Sequence, residues 1–412
     1  MTPEVKERIE QFRHGIVPEG YKRTKSGIYP EDWTEYTLGD IYTERKEPGN
    51  ESLPLLMVSI HSGVSDGEVD EANLPKKVKR IEDKSQYKRA ATGDLVFNMM
   101  RAWQGAIGTV RTEGMVSPAY IVAEPKKLVD PLFMDYLMRT PRMVGTIHKQ
   151  SYGVTDFRLR LYWDSFAPIH CVLPSVPEQE KIGEAVDIQN KIIDLKEKLL
   201  AEKQRQKKYL MQQLLTGKKR LPGFDGEWMY VRANQIFRNV TDKQHDGTLE
   251  VLSATQDRGI IPRNQVDIDI KYAEESLTGY KKVEKGNFVI SLRSFQGGIE
   301  YSEYSGIVSP AYTVLSSIYP IEDNYYKQFF KSTDYISRLN IAVYGIRDGK
   351  QISYNDFGRI KIPYPPLGEQ KAIATILSTA DKEVDILKQA IEQEKQKKKA
   401  LMQLLLMGIV RV

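Results

Sequence analysis

Two stretches of this chain carry apolar side chains at every third or fourth position, with charged side chains between. In the later stretch Leu377, Ala380, Val384, Leu387 and Ile391 lead on to Leu401 and Leu405, and Glu394 and Lys398 fill the same stripe between them. In the earlier one the stripe is Val186, Ile193, Leu200, Leu210 and Leu214, flanked by Ile188, Ile192, Leu195 and Leu199. Alternating steps of three and four form the seam of a coiled coil. A helix of about 36 residues is about 54 Å long at 1.5 Å per residue. An apolar stripe of that length needs a partner, and the simplest partner for each stretch is the other. Antiparallel pairing is favoured, because the chain before each stretch runs directly into its helix start. That start is marked by PSVPEQE and PPLGEQK, where proline suits the first turn and glutamate favours the N-terminal dipole.

The remaining sequence has a different rhythm. Short apolar runs alternate with Gly, Pro, Asn and Asp. LPLLMVSI (53–60), GDLVFNMM (93–100) and MVSPAYIVA (115–123) read as strands, and LEVLSAT (249–255), GNFVISLR (286–293) and IVSPAYTVL (307–315) match them. PLFMDYLMRT (131–140) and NYYKQFFKST (324–333) have helical spacing, and FAPIHCVLP and FGRIKIPYP read as closing strands. The chain therefore states one module twice. Residues 178–217 align without a gap on 369–408, with thirteen of forty positions identical. GMVSPAY returns as GIVSPAY, RAWQG (101–105) as RSFQG (293–297), and YGVTD (152–156) as YGIRD (344–348). SPAY reads as a buried strand motif. Trp33 and Trp228 each follow a Pro/Gly turn (GIYPEDW, LPGFDGEW) and read as core anchors.

Composition narrows the function. The 412 residues carry a net charge of +5, but residues 191–220 alone hold ten Lys/Arg against three Asp/Glu. Such a stripe is a solvated helix face or an attractor of polyanions. The single cysteine, Cys171, excludes an intrachain disulfide and a multi-cysteine metal site, and reads as a small buried hydrophobe. MTPEVKERIEQFRHG is polar where a signal peptide is apolar, and no run reaches the length of a membrane span, so a cytoplasmic protein is expected. Catalytic constellations are missing. GIRDGKQ (345–351) is one residue short of a phosphate loop and lacks its Ser/Thr. IPYPPLG has the prolines of an amino-methyltransferase motif but not its Asn/Asp or aromatic residue. The five histidines lack metal-ligand spacing. A binding role, with no catalytic, cofactor or metal site in this chain, is favoured.

If each module reads a segment of duplex DNA, residues shared by the copies are scaffold or phosphate contacts, and those that differ at equivalent positions read the bases. The shared polar residues are Arg101/Arg293, Gln104/Gln296, Tyr152/Tyr344 and Asp156/Asp348. An Arg and a Gln after a strand and before a glycine turn can reach a phosphate or a base edge; equally, such an Arg can pair with a local acid. Positions that differ are Arg158 and Arg160 against Lys350 and Ile352, and Thr155 against Arg347. Lys76 and Lys77, with Lys79 and Arg80, have a rough counterpart near Arg263 and Lys271. The loops HSGVSDGE (61–68) and TQDRGI (255–260, with Arg258) also differ.

GYKRTKSGIYPEDW near the start, PEQEKI…LLTGKKRLPGFDGEW in the middle and PPLGEQKAI…LMQLLLMG at the end resemble the specificity subunit of type I restriction-modification systems, over the whole chain. The resemblance implies an α/β (α+β) chain of two mixed target recognition domains, separated by two long helices that pair antiparallel with pseudo-two-fold symmetry. The expected divisions are a lead-in (1–30), recognition domain 1 (31–173), spacer helix 1 (174–217), recognition domain 2 (218–364) and spacer helix 2 (365–412). It implies a non-catalytic subunit that reads the halves of a split site on double-stranded DNA and docks two modification (methyltransferase) subunits. S-adenosylmethionine, ATP and Mg²⁺ belong to those partners and to the restriction (motor-nuclease) subunits. A stand-alone duplex DNA-binding regulator is the alternative, and a self-contained nuclease or methyltransferase the third reading. The lead-in before Trp33 also resembles LTGKKRLPGF after the first helix, as if the repeat were circularly cut, so the N-terminal segment is expected at the far end of the second helix.

Overall fold

The computed structural model describes residues 2–50, 52–65, 86–155, 158–266, 274–342 and 352–412. It divides into two compact units, Met1–Leu195 with Ile391–Val412, and Lys196–Ala390. Both apolar stripes are helical, over Val176–Leu214 and Leu367–Leu406. The first unit takes the start of the first long helix and the end of the second; the second unit takes the rest.

Within each unit the two long helices run antiparallel. In the second unit Lys203 pairs with Glu383 at 2.8 Å, and Lys207, one turn on, pairs with Asp381. In the first unit Gln189 donates to the Glu394 carboxylate at 2.8 Å and to its main-chain carbonyl at 3.3 Å. That contact explains a glutamate in an apolar stripe, since a buried amide supplies the hydrogen bonds that water would otherwise give. Lys398, in the same stripe, is half-buried. Burial pushes its ammonium below the ordinary value and Arg139 adds to this, while Asp194 and Asp135 oppose it.

The first unit opens with α1 (Pro3–Arg13). Its sheet comprises β1 (Tyr42–Arg45), β2 (Leu95–Asn98), β3 (Ile107–Thr109) and β4 (Tyr120–Pro125), antiparallel in the order β1-β4-β2-β3. Two helices follow, α2 (Pro131–Met138) and α3 (Pro141–Gln150). Each has proline in its first turn and a side-chain cap: Asp130 accepts from the Phe133 N–H, and Thr140 from that of Met143. The second unit repeats the plan with β5 (Phe237–Val240), β6 (Phe288–Ile290), β7 (Glu300–Tyr301) and β8 (Thr313–Ser317) in the order β5-β8-β6-β7, then α4 (Asp323–Phe329) and α5 (Thr333–Ala342). Strand period sorts neighbouring residues to opposite faces. Leu95, Phe97, Ile121 and Ala123 join one core, while Val96 and Val122 join another with Leu56, Val58 and Val116. Phe288 and Leu315 against Val289 and Val314 do the same in the second unit. Both faces are covered, so these strands read as continuous apolar runs.

Two strand expectations need correction. Of residues 53–60 only Val58–Ser59 is a strand. MVSPAYIVA is not one strand but two, Gly114–Val116 and β4, separated by a half-exposed turn in which Tyr120 N–H donates to Ser117 O at 2.9 Å. The chain leaves its pairing with Lys88–Ala90 there to join β2 and β1, and Pro118 has no N–H to offer a ladder. The second SPAY makes the same turn, Tyr312 N–H to Ser309 O at 3.0 Å. SPAY is thus a corner, not a buried strand. A lysine braces each corner: Lys88 to Tyr120 O at 2.7 Å and Lys281 to Tyr312 O at 2.6 Å.

The identities at the helix starts now have a cause. Gln179 and Gln370 are fully buried. Gln179 donates to Pro174 O and Leu128 O and accepts from Asp130 N–H, and Gln370 donates to Pro365 O and accepts from Glu322 N–H. Each glutamine stitches its long helix to the module before it. The preceding glutamates do more than favour a dipole. Glu369 takes a bidentate grip from Arg220, at 2.7 and 2.8 Å, and a hydrogen bond from Trp228 Nε1 at 2.9 Å. Glu178 takes the same grip from Arg411, at 2.5 and 2.7 Å. Trp33 is fully buried, as expected of a core anchor, whereas Trp228 is half-buried. Both pack on a glycine in the left-handed conformation at the end of a long helix: a Cβ on Gly217 would lie 3.0 Å from Trp228, and one on Gly408 3.1 Å from Trp33. Cys171 is buried in a strand, and burial pushes its thiol up to about 12. Among the described residues no helix is long and apolar enough to cross a membrane.

Candidate nucleic-acid interface

The shared Arg-x-x-Gln-Gly segments sit where β2 and β6 end. In the first unit the chain passes from Asn98 through Arg101 into a one-turn helix, Ala102–Gln104, which Gly105 closes at φ 101°. In the second, Arg293 leads into the turn Ser294–Gly297, closed by Gly298 at φ 80°. The arginine backbones nearly coincide, at φ −134°, ψ 5° and φ −111°, ψ 9°. Each turn is pinned from within. Asn98 Oδ1 accepts from Met100 N–H at 2.9 Å and Trp103 Nε1 donates to Met100 O at 3.0 Å. Ser294 Oγ accepts from Ser291 N–H at 2.8 Å. Trp103 also stacks on His148 of α3, centroids 5.5 Å apart.

Arg101, Gln104, Arg293 and Gln296 are all exposed. Among the described residues neither guanidinium has an ion pair or a hydrogen bond. A rigid backbone that holds an unpaired guanidinium one helical turn from an exposed amide presents the groups that hydrogen-bond phosphates, guanine and adenine.

Other predicted residues lie beside these turns. In the first unit Leu161 N–H donates to Met99 O at 2.9 Å, which brings the 152–160 loop next to Arg101. That loop is closed by Tyr152 and Arg160, whose main chains exchange hydrogen bonds of 3.0 and 2.9 Å. Arg158 and Arg160 are exposed, with Arg160 3.4 Å from the Tyr162 hydroxyl. In the second unit a Cβ on Gly297 would lie 2.9 Å from the Gln256 side chain, so the 255–260 turn borders the Arg293 turn. Lys331 ties the two together, donating to Gln256 O at 3.2 Å and Gly297 O at 2.9 Å while pairing with buried Glu300. Arg258 is exposed on that turn, its guanidinium on Gln265 O at 3.1 Å. Ile352 is buried in the second core and reads nothing. Lys76, Lys77, Lys79, Arg80, Asp156, Lys271, Tyr344, Arg347, Asp348 and Lys350 lie outside the described residues.

Three residues that the sequence did not single out also border these turns. Met100 and Leu292 precede the arginines and are about half exposed; their signal was an apolar residue at one position of both copies. Lys331 carried no signal, because its partners, the Glu300 carboxylate and the Gln256 and Gly297 carbonyls, all lie far from it in sequence. Among the described residues no group of three His, Cys, Asp or Glu is placed to hold a metal.

Residues 225–396 match the family model for the type I restriction modification DNA specificity domain. Over 96% of its length the chain is 23% identical to 97% of the MjaX type I restriction enzyme specificity subunit of Methanocaldococcus jannaschii. Over 39% of its length it is 30% identical to 35% of the EcoBI specificity subunit of Escherichia coli. Among solved structures, the HsdS subunit of Thermoanaerobacter tengcongensis superposes with a TM-score of 0.52 at 19% identity, covering 93% of this chain and 98% of that one. The type I S subunit of M. genitalium gives 0.52 at 13%, covering 90% and 96%. At these identities the structural likeness establishes the fold: mixed modules with two long helices.

Proposed function

We infer from the chain's membership of the type I restriction-modification specificity family that it is the DNA-reading, non-catalytic subunit of such a system, each of its two modules reading one half of a split site. The observation that carries this reading is the pair of pinned turns, each presenting an exposed arginine and an exposed glutamine at the same place in its module. Arg101, Gln104, Arg158 and Arg160 belong to the reading surface of one module, and Lys76 and Lys77 are assigned to the same half-site from the sequence. Arg293, Gln296 and Arg258 belong to that of the other, and Arg347 and Lys350 are assigned to its half-site from the sequence. The shared arginines hold the phosphates and set orientation, and the residues that differ choose the bases. The long helices set the distance between the two readings.

The helices also dock two modification subunits. Leu195 and Ile386 occupy one position of the helical repeat and are each 65% exposed, an exposure that suits two copies of one partner. It also disfavours a regulator that works alone. S-adenosylmethionine and adenine methylation belong to those partners, ATP, Mg²⁺ and cleavage to the motor-nuclease subunits that join them. The test is methylation mapping of a genome with and without this chain. A split, adenine-methylated motif should vanish when the chain is removed; an unchanged methylation pattern would refute the reading.

A further inference from the structure

Two exposed apolar side chains recur at one position of the repeat. Met100 is 47% exposed and Leu292 50%, and each directly precedes the shared, unpaired arginine. A single exposed apolar residue needs no explanation. Here the residue type differs between copies while the apolar character and the exposure persist. The strand residues that lead into the turns, Leu95–Phe97 and Phe288–Ile290, are buried, whereas Met100 and Leu292, two residues beyond the strand ends at Asn98 and Ile290, are exposed. The turns hold each of them there, through Asn98 on Met100 N–H and through the Ser291–Ser294 pair beside Leu292.

The neighbours identify the occupant. The guanidiniums of Arg101 and Arg293 draw in a polyanion, but an apolar side chain gains nothing from a phosphate. Against duplex DNA its complement is the apolar part of a base edge, and in the major groove that part is the thymine C5-methyl group. We propose that Met100 and Leu292 are specificity-determining residues, each packed on the methyl group of one thymine, one in each half-site. This rests on the DNA-reading role above. The unbranched thioether of Met100 adapts to its surroundings, whereas the branched Leu292 is stiffer, so the half-site read by the second module is the more sharply discriminated.

The test uses the chain assembled with its modification subunits on a duplex carrying the mapped site. Each thymine is replaced singly by deoxyuridine, which removes one methyl group and leaves every hydrogen-bonding group in place. One such replacement in each half-site should weaken binding about fourfold, roughly the value of one buried methyl group. The penalty in one half-site should disappear in Met100→Ala, and that in the other in Leu292→Ala. The proposal is overturned if no thymine responds, or if both penalties persist unchanged in the alanine variants. A wild-type complex that does not prefer the mapped site to a scrambled duplex would instead sink the DNA-reading role itself.

Discussion

Tyr21 donates its hydroxyl to the main-chain carbonyl of Gly408, 2.7 Å away and 387 residues distant in sequence. Arg8 reaches Ile409 O at 2.7 Å, and Arg411 grips Asp32 as well as Glu178. The N-terminal segment and the C-terminal end thus fold as part of one unit. They are to the first module what the stretch through Gly217 and Arg220 is to the second, where Gly217 packs on Trp228 within continuous chain and Arg220 makes the equivalent grip on Glu369. A repeat cut inside one unit has to be rejoined non-covalently, and these hydrogen bonds and ion pairs rejoin it.

Arg411→Ala should therefore destabilise the first unit. It leaves Glu178, 10% exposed in its side chain, without its guanidinium. The pair is only partly buried on the arginine side, so the loss should be about 1–3 kcal/mol rather than the full cost of a buried pair. Arg220→Ala should act alike on the second unit. Thermal melts of both variants check this, and unchanged midpoints would show that the latches contribute nothing. Asp32 adds a pH signature. Its hydrogen bond from Arg411 holds its carboxyl below the usual range, so its contribution is present above that range and is lost as pH falls through the depressed value.

A second prediction comes from a natural double substitution between the modules. Asp94 is buried and bonded to Arg45 at 2.7 Å. The equivalent residues in the second unit are Asn287 and Val240, and Asn287 makes the same turn-closing bond, accepting from Glu284 N–H at 2.9 Å. Arg45→Val alone strands a buried carboxylate and should cost about 3–5 kcal/mol. Adding Asp94→Asn should recover most of that. Burial already pushes the Asp94 carboxyl up despite Arg45. Ionising it opposes folding, so the penalty of Arg45→Val should shrink as pH falls and Asp94 takes up a proton. Denaturant titrations of the three variants decide; a double variant as unstable as the single would refute the equivalence.

Arg101→Ala and Arg293→Ala should each weaken DNA binding by the assembled complex by about 1–3 kcal/mol if the guanidinium reads a base, with relaxed choice in that module's half-site alone. If it holds a phosphate, the loss should be uniform across sequences and the salt slope should fall by about one. Binding measured over a salt series separates the two. No change in either quantity would remove these arginines from the interface.

Leu387→Pro should break the second long helix, at about 3 kcal/mol or more. Loss of partner assembly and of fixed spacing on DNA is expected, seen by co-purification and by methylation mapping. Survival of both would rule out the helices as the spacer.

Local pattern made much of this legible. The period of three and four gave both long helices, and the gapless alignment gave the duplication. Arg101 and Arg293 stand out in the sequence because they recur in both copies, and the structure places both at exposed turns. The SPAY corner was misread, since an apolar run does not reveal that its chain changes partners midway. Ile352 was mistaken for a surface residue because a loop alignment carries no burial.

The sequence by itself determined the elements and their twofold repetition, because helix and strand periods and a repeated motif are properties of neighbouring residues. It also pointed, through LTGKKRLPGF and the lead-in, to a circular cut. Tertiary structure alone decided what Glu178 and Glu369 hold, why Glu394 can lie in an apolar stripe, and that Lys331 joins two turns. Those facts depend on which groups meet after the chain closes, and a contact between residues hundreds of positions apart leaves no period in the sequence that makes it.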